Sequence, residues 1–197
     1  QELQRLGHRV TVIENDPVRA DMYAGSFAKV VRGDASAAGL VEKIRAKDFA
    51  IAVVGVGSVE TSVLACANLV DAGIAAIWAK ATSAEHARIL DRIGVQHIIR
   101  PEADSGKRVA HLANGKLQDY IEFEDGFAIV KMRPPLEAVG FTLEQSQIRS
   151  KYGVTVVGVK VPGQDFTYAV PSTKVTREHT LIVSGPVELI ERLASRP

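Results

Sequence analysis

Short apolar segments alternate along the first half of the chain with segments whose apolar residues recur every three or four positions. The apolar segments predict strands, and the 3.6-residue period predicts helices. The predicted strands are residues 9–14, 28–34, 49–54, 75–80 and 96–100. The predicted helices begin at residue 17 or cover residues 39–44, 61–72, 84–93 and 105–113. Regular alternation with short connections is typical of an α/β domain with a doubly wound parallel sheet, a Rossmann-like fold.

Two local patterns refine this prediction. Asp16 and Pro17 form a typical helix start, with the aspartate as cap and the proline at the first helical position. The segment 49–54, Phe-Ala-Ile-Ala-Val-Val, has no polar position. A strand that is apolar on both faces belongs in the middle of a parallel sheet that helices cover on both sides.

The first residues of the chain have the pattern of a helix end. Residues 2–6 read as its last turns, and Gly7 stands where helices commonly terminate. We therefore expect that the first strand of the domain and its glycine loop are missing from this sequence and belong upstream of Gln1. That loop, Gly-x-Gly-x-x-Gly, normally binds the pyrophosphate of a dinucleotide.

The pattern changes near Asn114-Gly115, where the strand–helix alternation ends. Strand-like segments are predicted at 120–133 (with a turn at 124–126), 154–161, 166–170 and 180–183, and helices at 143–150 and 186–193. Pro162-Gly163-Gln164-Asp165 predicts a hairpin between two of these strands. We expect a nucleotide-binding domain at 1–114 and a small α+β C-terminal domain at 119–197. Its roughly 80 residues are near the lower limit for independent stability, which predicts a dimer contact there.

Composition excludes several classes of protein. Hydrophobic residues make up 46% and charged residues 24% of the 197, as in folded globular proteins and unlike disordered ones. The 24 basic and 23 acidic residues leave a charge of +1, which does not favour nucleic acid as a partner. A single cysteine, Cys66, rules out an intrachain disulfide and fits a reducing cytoplasm. The apolar helical segment around Cys66 predicts that this residue is buried in the core. The apolar segment around Trp78 predicts the same for the tryptophan.

Catalytic patterns are absent from the sequence. The five histidines have no metal-ligand spacing, and neither a Gly-x-Ser-x-Gly elbow nor a Walker-type phosphate loop occurs. We therefore expect a protein that is not an enzyme.

Acidic residues after two neighbouring predicted strands favour nucleotide binding. Glu14 ends the first predicted strand, where a carboxylate can accept hydrogen bonds from ribose hydroxyls. Asp34, which ends the next strand, could reach an adenine amino group, with the small Ala35 leaving room for the base. The alternatives are a solvated loop acid at Glu14 and an ordinary turn at Gly33-Asp34.

Gly55 and Gly57 end the third predicted strand and precede a helix. Two glycines there let the backbone approach a ribose or phosphate, and the amides of a helix start favour anions. The alternative is a plain strand-to-helix turn, since a single Gly-x-Gly is a weak pattern.

Several segments carry a resemblance to a known family. They are His8–Glu14, Gly33–Ser36, Trp78–Ala81, Ile93–Glu102 and Ile148–Gly153 with the valine-rich strand after it. Together they resemble the RCK (regulator of potassium conductance) family, and within it the cytosolic gating subunits of Ktr/Trk-type potassium uptake systems. The resemblance extends in order over essentially all 197 residues.

This resemblance implies a regulatory subunit that forms a homo-oligomeric ring, with dimers assembling to a tetramer or an octamer. The ring would be cytoplasmic and peripheral, held on the inner face of the cell membrane by an integral-membrane potassium channel or transporter. ATP or ADP would change the shape of the ring and so gate ion transport in the partner, without a covalent step.

The resemblance also implies residue roles. The ribose-binding acid falls on Glu14 and the adenine contact on Asp34 and Ala35. Lys80 matches a lysine close to the phosphates, with an ordinary surface lysine as the alternative. Glu102 matches a glutamate that helps bind a divalent cation, Mg²⁺ or Ca²⁺. Its alternative role is to stabilise the positive end of the following helix.

Cyclic di-AMP is a further ligand that the resemblance suggests. Arg149 matches an arginine that binds it in some relatives, between two C-terminal domains. Leu143-Glu144 departs from the apolar pair of those relatives, and a charged glutamate is a poor surface for a purine. The alternative for Arg149 is an ordinary dimer-interface arginine.

Two other functions remain as alternatives. One is an NAD-linked oxidoreductase or NAD(H) redox sensor, which would share the fold but needs a proton-transfer residue that no histidine or Tyr/Lys pair suggests. The other is a regulator of cation transport that responds to cyclic di-AMP through the C-terminal domain.

Overall fold

The computed structural model describes residues 1–113 and 115–196, and the chain divides into two units, Gln1–Glu102 and Ala103–Pro197. The strands of the first unit are β1 (Thr11–Glu14), β2 (Lys29–Arg32), β3 (Ile51–Val54), β4 (Ala76–Lys80) and β5 (His97–Ile99). Its helices are α1 (Glu2–Arg5), α2 (Pro17–Ala24), α3 (Ala38–Lys43), α4 (Val59–Asp71) and α5 (Ala84–Arg92), with a 3₁₀ turn at Ala46–Asp48. The predicted alternation of strand and helix is confirmed.

The parallel strands of the first unit form two separate sheets. β1 pairs with β2, and the second sheet has the order β3-β4-β5. The prediction that residues 49–54 form a central strand is therefore wrong for the described residues, in which β3 is an edge strand. Its outward side chains Ile51 and Val53 are 49% and 62% exposed.

Helices α4 and α5 cover one face of the β3-β4-β5 sheet. Ile77 and Leu90 are fully buried between these layers, and so is Cys66, as predicted. Burial raises the pKa of the Cys66 thiol to about 11, so the reactive thiolate is scarce at neutral pH. The prediction that Trp78 is a core residue is wrong. Trp78 lies on the opposite face of the sheet, where it is 39% exposed and stacks on His97 with the ring centroids 4.2 Å apart. The reason is strand alternation, which turns Trp78 away from its buried neighbours Ile77 and Ala79.

The helix starts of the first unit follow local capping chemistry. The Asp16 carboxylate accepts hydrogen bonds from the backbone N–H groups of Val18 and Arg19, which confirms the predicted cap. Ser58 and Ser83 accept in the same way at the starts of α4 and α5.

Helix α6 (Pro101–Leu112) begins four residues before the predicted start at residue 105. Proline is well suited to the first helical position, because its missing N–H would have no helical partner there. The helix crosses the division between the two units, whereas the predicted domains meet between 114 and 119. Asn114, where the pattern was expected to change, lies outside the described residues. The predicted domain limits stay predictions.

The second unit is a five-stranded antiparallel sheet in the order β6-β7-β10-β8-β9. Its strands are β6 (Leu117–Glu122), β7 (Phe127–Met132), β8 (Thr155–Lys160), β9 (Phe166–Tyr168) and β10 (Thr180–Pro186). Its helices are α7 (Leu143–Ser146), α8 (Ile148–Tyr152) and α9 (Val187–Ala194), with 3₁₀ turns at Glu124–Gly126 and Leu136–Ala138. The predicted hairpin is confirmed by the antiparallel pairing of β8 with β9.

The core of the second unit lies between its sheet and the helices α8 and α9. Leu181, Val183, Ile190 and Leu193 are fully buried there. The single helix predicted at 143–150 is wrong, because Gln147 adopts a left-handed conformation with φ 52° and separates α7 from α8. Among the described residues, no helix combines the length and the apolar character needed to cross a membrane.

Candidate functional site

The carboxyl ends of β1 and β2 place two of the predicted acidic residues at one edge of their sheet. Glu14 is in register with Arg32, and its carbonyl oxygen accepts a hydrogen bond from Gly33 N–H at 3.1 Å. Asp34 follows immediately, so both acids come from adjacent strand ends. Glu14 is half-buried and Asp34 is exposed. In doubly wound folds, this carboxyl edge is where ligands bind.

Hydrogen bonds hold both carboxylates in place. Glu14 Oε1 accepts from Asp16 N–H at 3.0 Å. Asp34 Oδ1 accepts from the backbone N–H of Ser36 at 2.9 Å and from its hydroxyl at 2.7 Å. These bonds lower the pKa of Asp34, so it is ionised at neutral pH and can accept a further hydrogen bond. Ala35 lies between Asp34 and Ser36, half-buried and with only a methyl group to occupy space.

The glycines at the strand ends have different physical roles. A Cβ at Gly33 would lie 3.1 Å from Leu40 Cδ1, so packing of α3 explains this glycine. A Cβ at Gly55 or Gly57 would meet no atom within 4 Å, and neither residue has a positive φ. The described fold therefore does not require glycine at 55 or 57. The space around these two Cβ positions is open, and both glycines come shortly before the start of the 13-residue helix α4.

Lys80 and Glu102 form an ion pair that the sequence reasoning did not foresee. The Lys80 ammonium lies 2.5 Å from Glu102 Oε1, with the two side chains 30% and 67% exposed. The hydrogen bond from Lys80 lowers the pKa of Glu102. Pairing of β4 with β5 places Lys80 beside Ile99, three residues before Glu102. The order of the strands could have suggested this pair, since consecutive parallel strands end at the same edge.

Glu102, the predicted cation ligand, belongs to no cluster of possible metal ligands in the described part of the chain. Among the residues that the structure describes, no three His, Cys, Asp or Glu side chains gather into a metal site. A hard divalent cation needs six or more oxygen ligands. A single exposed carboxylate can supply one or two of these, so phosphate and water oxygens would have to supply the others.

Arg149, the candidate for cyclic di-AMP, belongs to α8 in the second unit and is exposed. Leu143 is half-buried against the core of that unit, and Glu144 beside it is exposed. A charged side chain therefore stands at the surface beside Leu143.

His86 is a buried histidine for which the sequence predicted no role. It is 1% exposed, and its Nδ1 accepts a hydrogen bond from Thr82 N–H at 3.2 Å. In the neutral ring the proton therefore lies on Nε2, which has no hydrogen-bond partner among the described residues. The bond fixes the segment that follows Lys80. A signal was present in the sequence, since His86 lies four residues before Leu90 on the apolar face of α5.

Burial lowers the pKa of His86, which predicts acid-sensitive folding. A histidine with a lowered folded-state pKa adds stability above its unfolded pKa of about 6.5, and this stability is lost as pH falls toward the folded value. We expect the first unit to unfold at a lower urea concentration at pH 5.5 than at pH 7.5. His86→Asn, whose side-chain oxygen can still accept from Thr82, should show a smaller fall, with exposed His8→Asn as control. Equal pH dependence in wild type and His86→Asn would contradict this assignment.

The fold and the strand-end residues define a Rossmann-like domain followed by a small α+β domain. Residues 1–101 match the TrkA-N domain. The chain belongs to the TrkA-N domain family, and the resemblance to RCK proteins of the Ktr/Trk type is confirmed.

Relatives and solved structures agree with this assignment. The chain is 28% identical over 196 residues to Ktr system potassium uptake protein C of Bacillus subtilis (strain 168), covering 98% of this chain and 89% of the relative. It is 26% identical over 194 residues to Ktr system potassium uptake protein A of the same organism, covering 98% and 87%. The GsuK channel superposes with a TM-score of 0.70 at 18% identity, covering 98% of this chain and 36% of the channel. That similarity confirms the fold over both units.

Proposed function

We propose that this protein is a cytoplasmic regulatory subunit of a bacterial potassium uptake system and that its first unit binds ATP or ADP. The proposal is supported by membership of the TrkA-N family and by similarity to two Ktr potassium uptake proteins over 98% of the chain. The observation that carries the nucleotide part is the placement of Glu14 and Asp34 at adjacent strand ends. The open space over Gly55 and Gly57 adds to it.

Each residue has a defined role in this proposal. Glu14 accepts hydrogen bonds from the ribose hydroxyls, and Asp34 with Ala35 borders the adenine. Gly55 and Gly57 allow the close approach of the sugar or phosphate. Lys80 neutralises phosphate charge as an ammonium ion. Glu102 contributes a carboxylate oxygen to Mg²⁺ or Ca²⁺, and the phosphates supply further oxygens.

An exposed apolar face on the β3-β4-β5 sheet supports assembly into a homo-oligomeric ring. The face that α4 and α5 leave uncovered carries four exposed apolar side chains, one or two from each strand: Ile51, Val53, Trp78 and Ile99. Contiguous exposed apolar surface on a globular protein commonly marks an interaction site. We propose that ring subunits and an integral-membrane potassium transporter are the partners of this protein. A nucleotide then shifts the ring between two arrangements according to its affinity for each.

Calorimetric titration of the full-length protein with ATP, ADP, NADH and cyclic di-AMP tests the proposed ligand. Each titration is run with and without Mg²⁺ or Ca²⁺. We expect binding of ATP and ADP, because the strand-end acids and glycines suit an adenine nucleotide. NADH belongs in the panel because the GsuK channel has been solved with NAD bound.

The other outcomes lead to different functions. Preference for NADH would support a redox sensor or an NAD-linked oxidoreductase. Binding of cyclic di-AMP alone would transfer ligand sensing to the second unit and to Arg149. Oxidation of hydroxy-acid or aldehyde substrates with NAD⁺, followed as formation of NADH, would contradict the prediction that the protein is not an enzyme.

A further inference from the structure

The loop of residues 34–36, which follows β2, is tied to helix α4 by a hydrogen bond from a distant part of the sequence. The Nδ2 amide of Asn68 donates to the backbone carbonyl oxygen of Ser36 at 2.9 Å. Both residues are half-buried. The loop leaves the β1-β2 sheet, whereas α4 packs on the β3-β4-β5 sheet. This hydrogen bond therefore joins elements that belong to two different sheets of the first unit.

Helix α4 is a firm support for this contact. Its residues Ala65 and Cys66 are buried in the core of the first unit. The Ser58 hydroxyl caps its first turn by accepting a hydrogen bond from Thr61 N–H at 3.3 Å. Because the core fixes the buried face of α4, the backbone of Asn68 has a fixed position beside the loop.

The loop depends on this support because the helix after it supplies little. Helix α3 has Ala37 as its N-cap, and alanine has no side-chain oxygen that could hold the helix start. Ala35 packs its methyl group against the core that α4 shares. In the part of the chain that the structure describes, Asn68 is the side chain outside the loop that donates a hydrogen bond to it.

Ser36 transmits this restraint to the Asp34 carboxylate. Asp34 Oδ1 accepts from the backbone N–H of Ser36 at 2.9 Å and from its hydroxyl at 2.7 Å. Because both bonds use Oδ1, Oδ2 is the oxygen that can accept a hydrogen bond from a ligand. The direction of Oδ2 therefore depends on the position of Ser36, which Asn68 holds.

We propose that Asn68 is a positioning residue that sets the preference of the nucleotide site for adenine, acting through Ser36 and Asp34. Adenine carries an amino group that can donate to a carboxylate. Hypoxanthine, the base of inosine nucleotides, has a carbonyl oxygen at that place and would leave the carboxylate without a donor. A carboxylate that is already oriented also loses less entropy when adenine binds. This inference rests on the proposed nucleotide function of the first unit.

Calorimetric titration of the full chain with ADP and with inosine diphosphate tests this role. Asn68→Leu keeps a branched side chain and removes the N–H donor. We expect the wild type to prefer ADP. Asn68→Leu should bind ADP about fivefold more weakly, the loss of roughly one neutral hydrogen bond, and its affinity for inosine diphosphate should be unchanged. General damage to the fold would instead weaken both nucleotides alike.

Asp34→Ala provides a second test of the route through the carboxylate. In that background, Asn68→Leu should cause no further loss of ADP affinity, because the group that Asn68 positions is already absent. Asp71→Asn is the matched control, since it alters an exposed side chain of the same helix three residues further on. It should keep the wild-type preference for ADP over inosine diphosphate. Circular dichroism melting curves check that each variant is folded.

The outcomes separate this inference from the nucleotide proposal on which it rests. If the wild type binds ADP but Asn68→Leu keeps the full preference for ADP, Asn68 is not a positioning residue. The same conclusion follows if the wild type binds both nucleotides equally, or if Asn68→Leu weakens ADP binding by the same factor with and without Asp34. Absence of ADP binding by the wild type would overturn both proposals.

Discussion

Replacing Glu14 with alanine is expected to weaken adenine-nucleotide binding by about 30-fold, the loss of one or two hydrogen bonds to a charged group. Glu14 is half-buried at the end of β1, and its Oε1 already accepts from Asp16 N–H. Its carboxylate is therefore held in one orientation before a ligand arrives, which reduces the entropy cost of binding. Calorimetric titration with ADP measures the change.

Two controls separate this effect from a loss of structure. Glu42→Ala removes an exposed acid from α3 and should leave ADP affinity unchanged. Glu14→Gln keeps one oxygen acceptor and should lose less affinity than Glu14→Ala. Unaltered ADP binding by Glu14→Ala would show that the residue is a solvated loop acid, as the alternative interpretation has it.

Replacing Ile190 with alanine is expected to destabilise the second unit by about 3 kcal/mol, as buried isoleucines do when a cavity remains. Ile190 lies on α9, is fully buried, and packs in the core between the helices and the five-stranded sheet. Urea unfolding followed by far-ultraviolet circular dichroism gives the free energy of unfolding. Trp78, the only tryptophan, belongs to the first unit, so its fluorescence follows that unit separately.

Leu136→Ala is the control for this experiment. Leu136 is 50% exposed in a 3₁₀ turn of the same unit, and its truncation should cost less than about 1 kcal/mol. If both variants have the same urea unfolding midpoint as the wild type, the core assigned to the second unit is wrong.

Elements that depend on neighbouring residues were predicted well. The Asp16 cap, the alternating strands and helices and the hairpin around Pro162-Gly163 all follow from turn chemistry and from the period of apolar positions. The separation of α7 from α8 was missed, because it depends on a left-handed conformation at Gln147, and residues other than glycine rarely adopt that conformation.

Burial was predicted less well than secondary structure. Apolar neighbours made Cys66 and Trp78 look equivalent, but Cys66 is fully buried and Trp78 is 39% exposed. The difference depends on which face of a strand or helix meets another layer. The same is true of β3, whose apolar residues predicted a central strand but whose outward side is open in the described sheet.

Sequence patterns alone were enough to predict the fold class, the family resemblance and the residue types at the strand ends. These features depend on local periodicity, capping and short motifs that are complete within a few residues. The folded structure was needed to show that Lys80 pairs with Glu102, that His86 is buried, and that its Nε2 has no hydrogen-bond partner within the described part of the chain. Contacts of this kind join residues from different elements, so they exist only once β4, β5 and α5 have packed together.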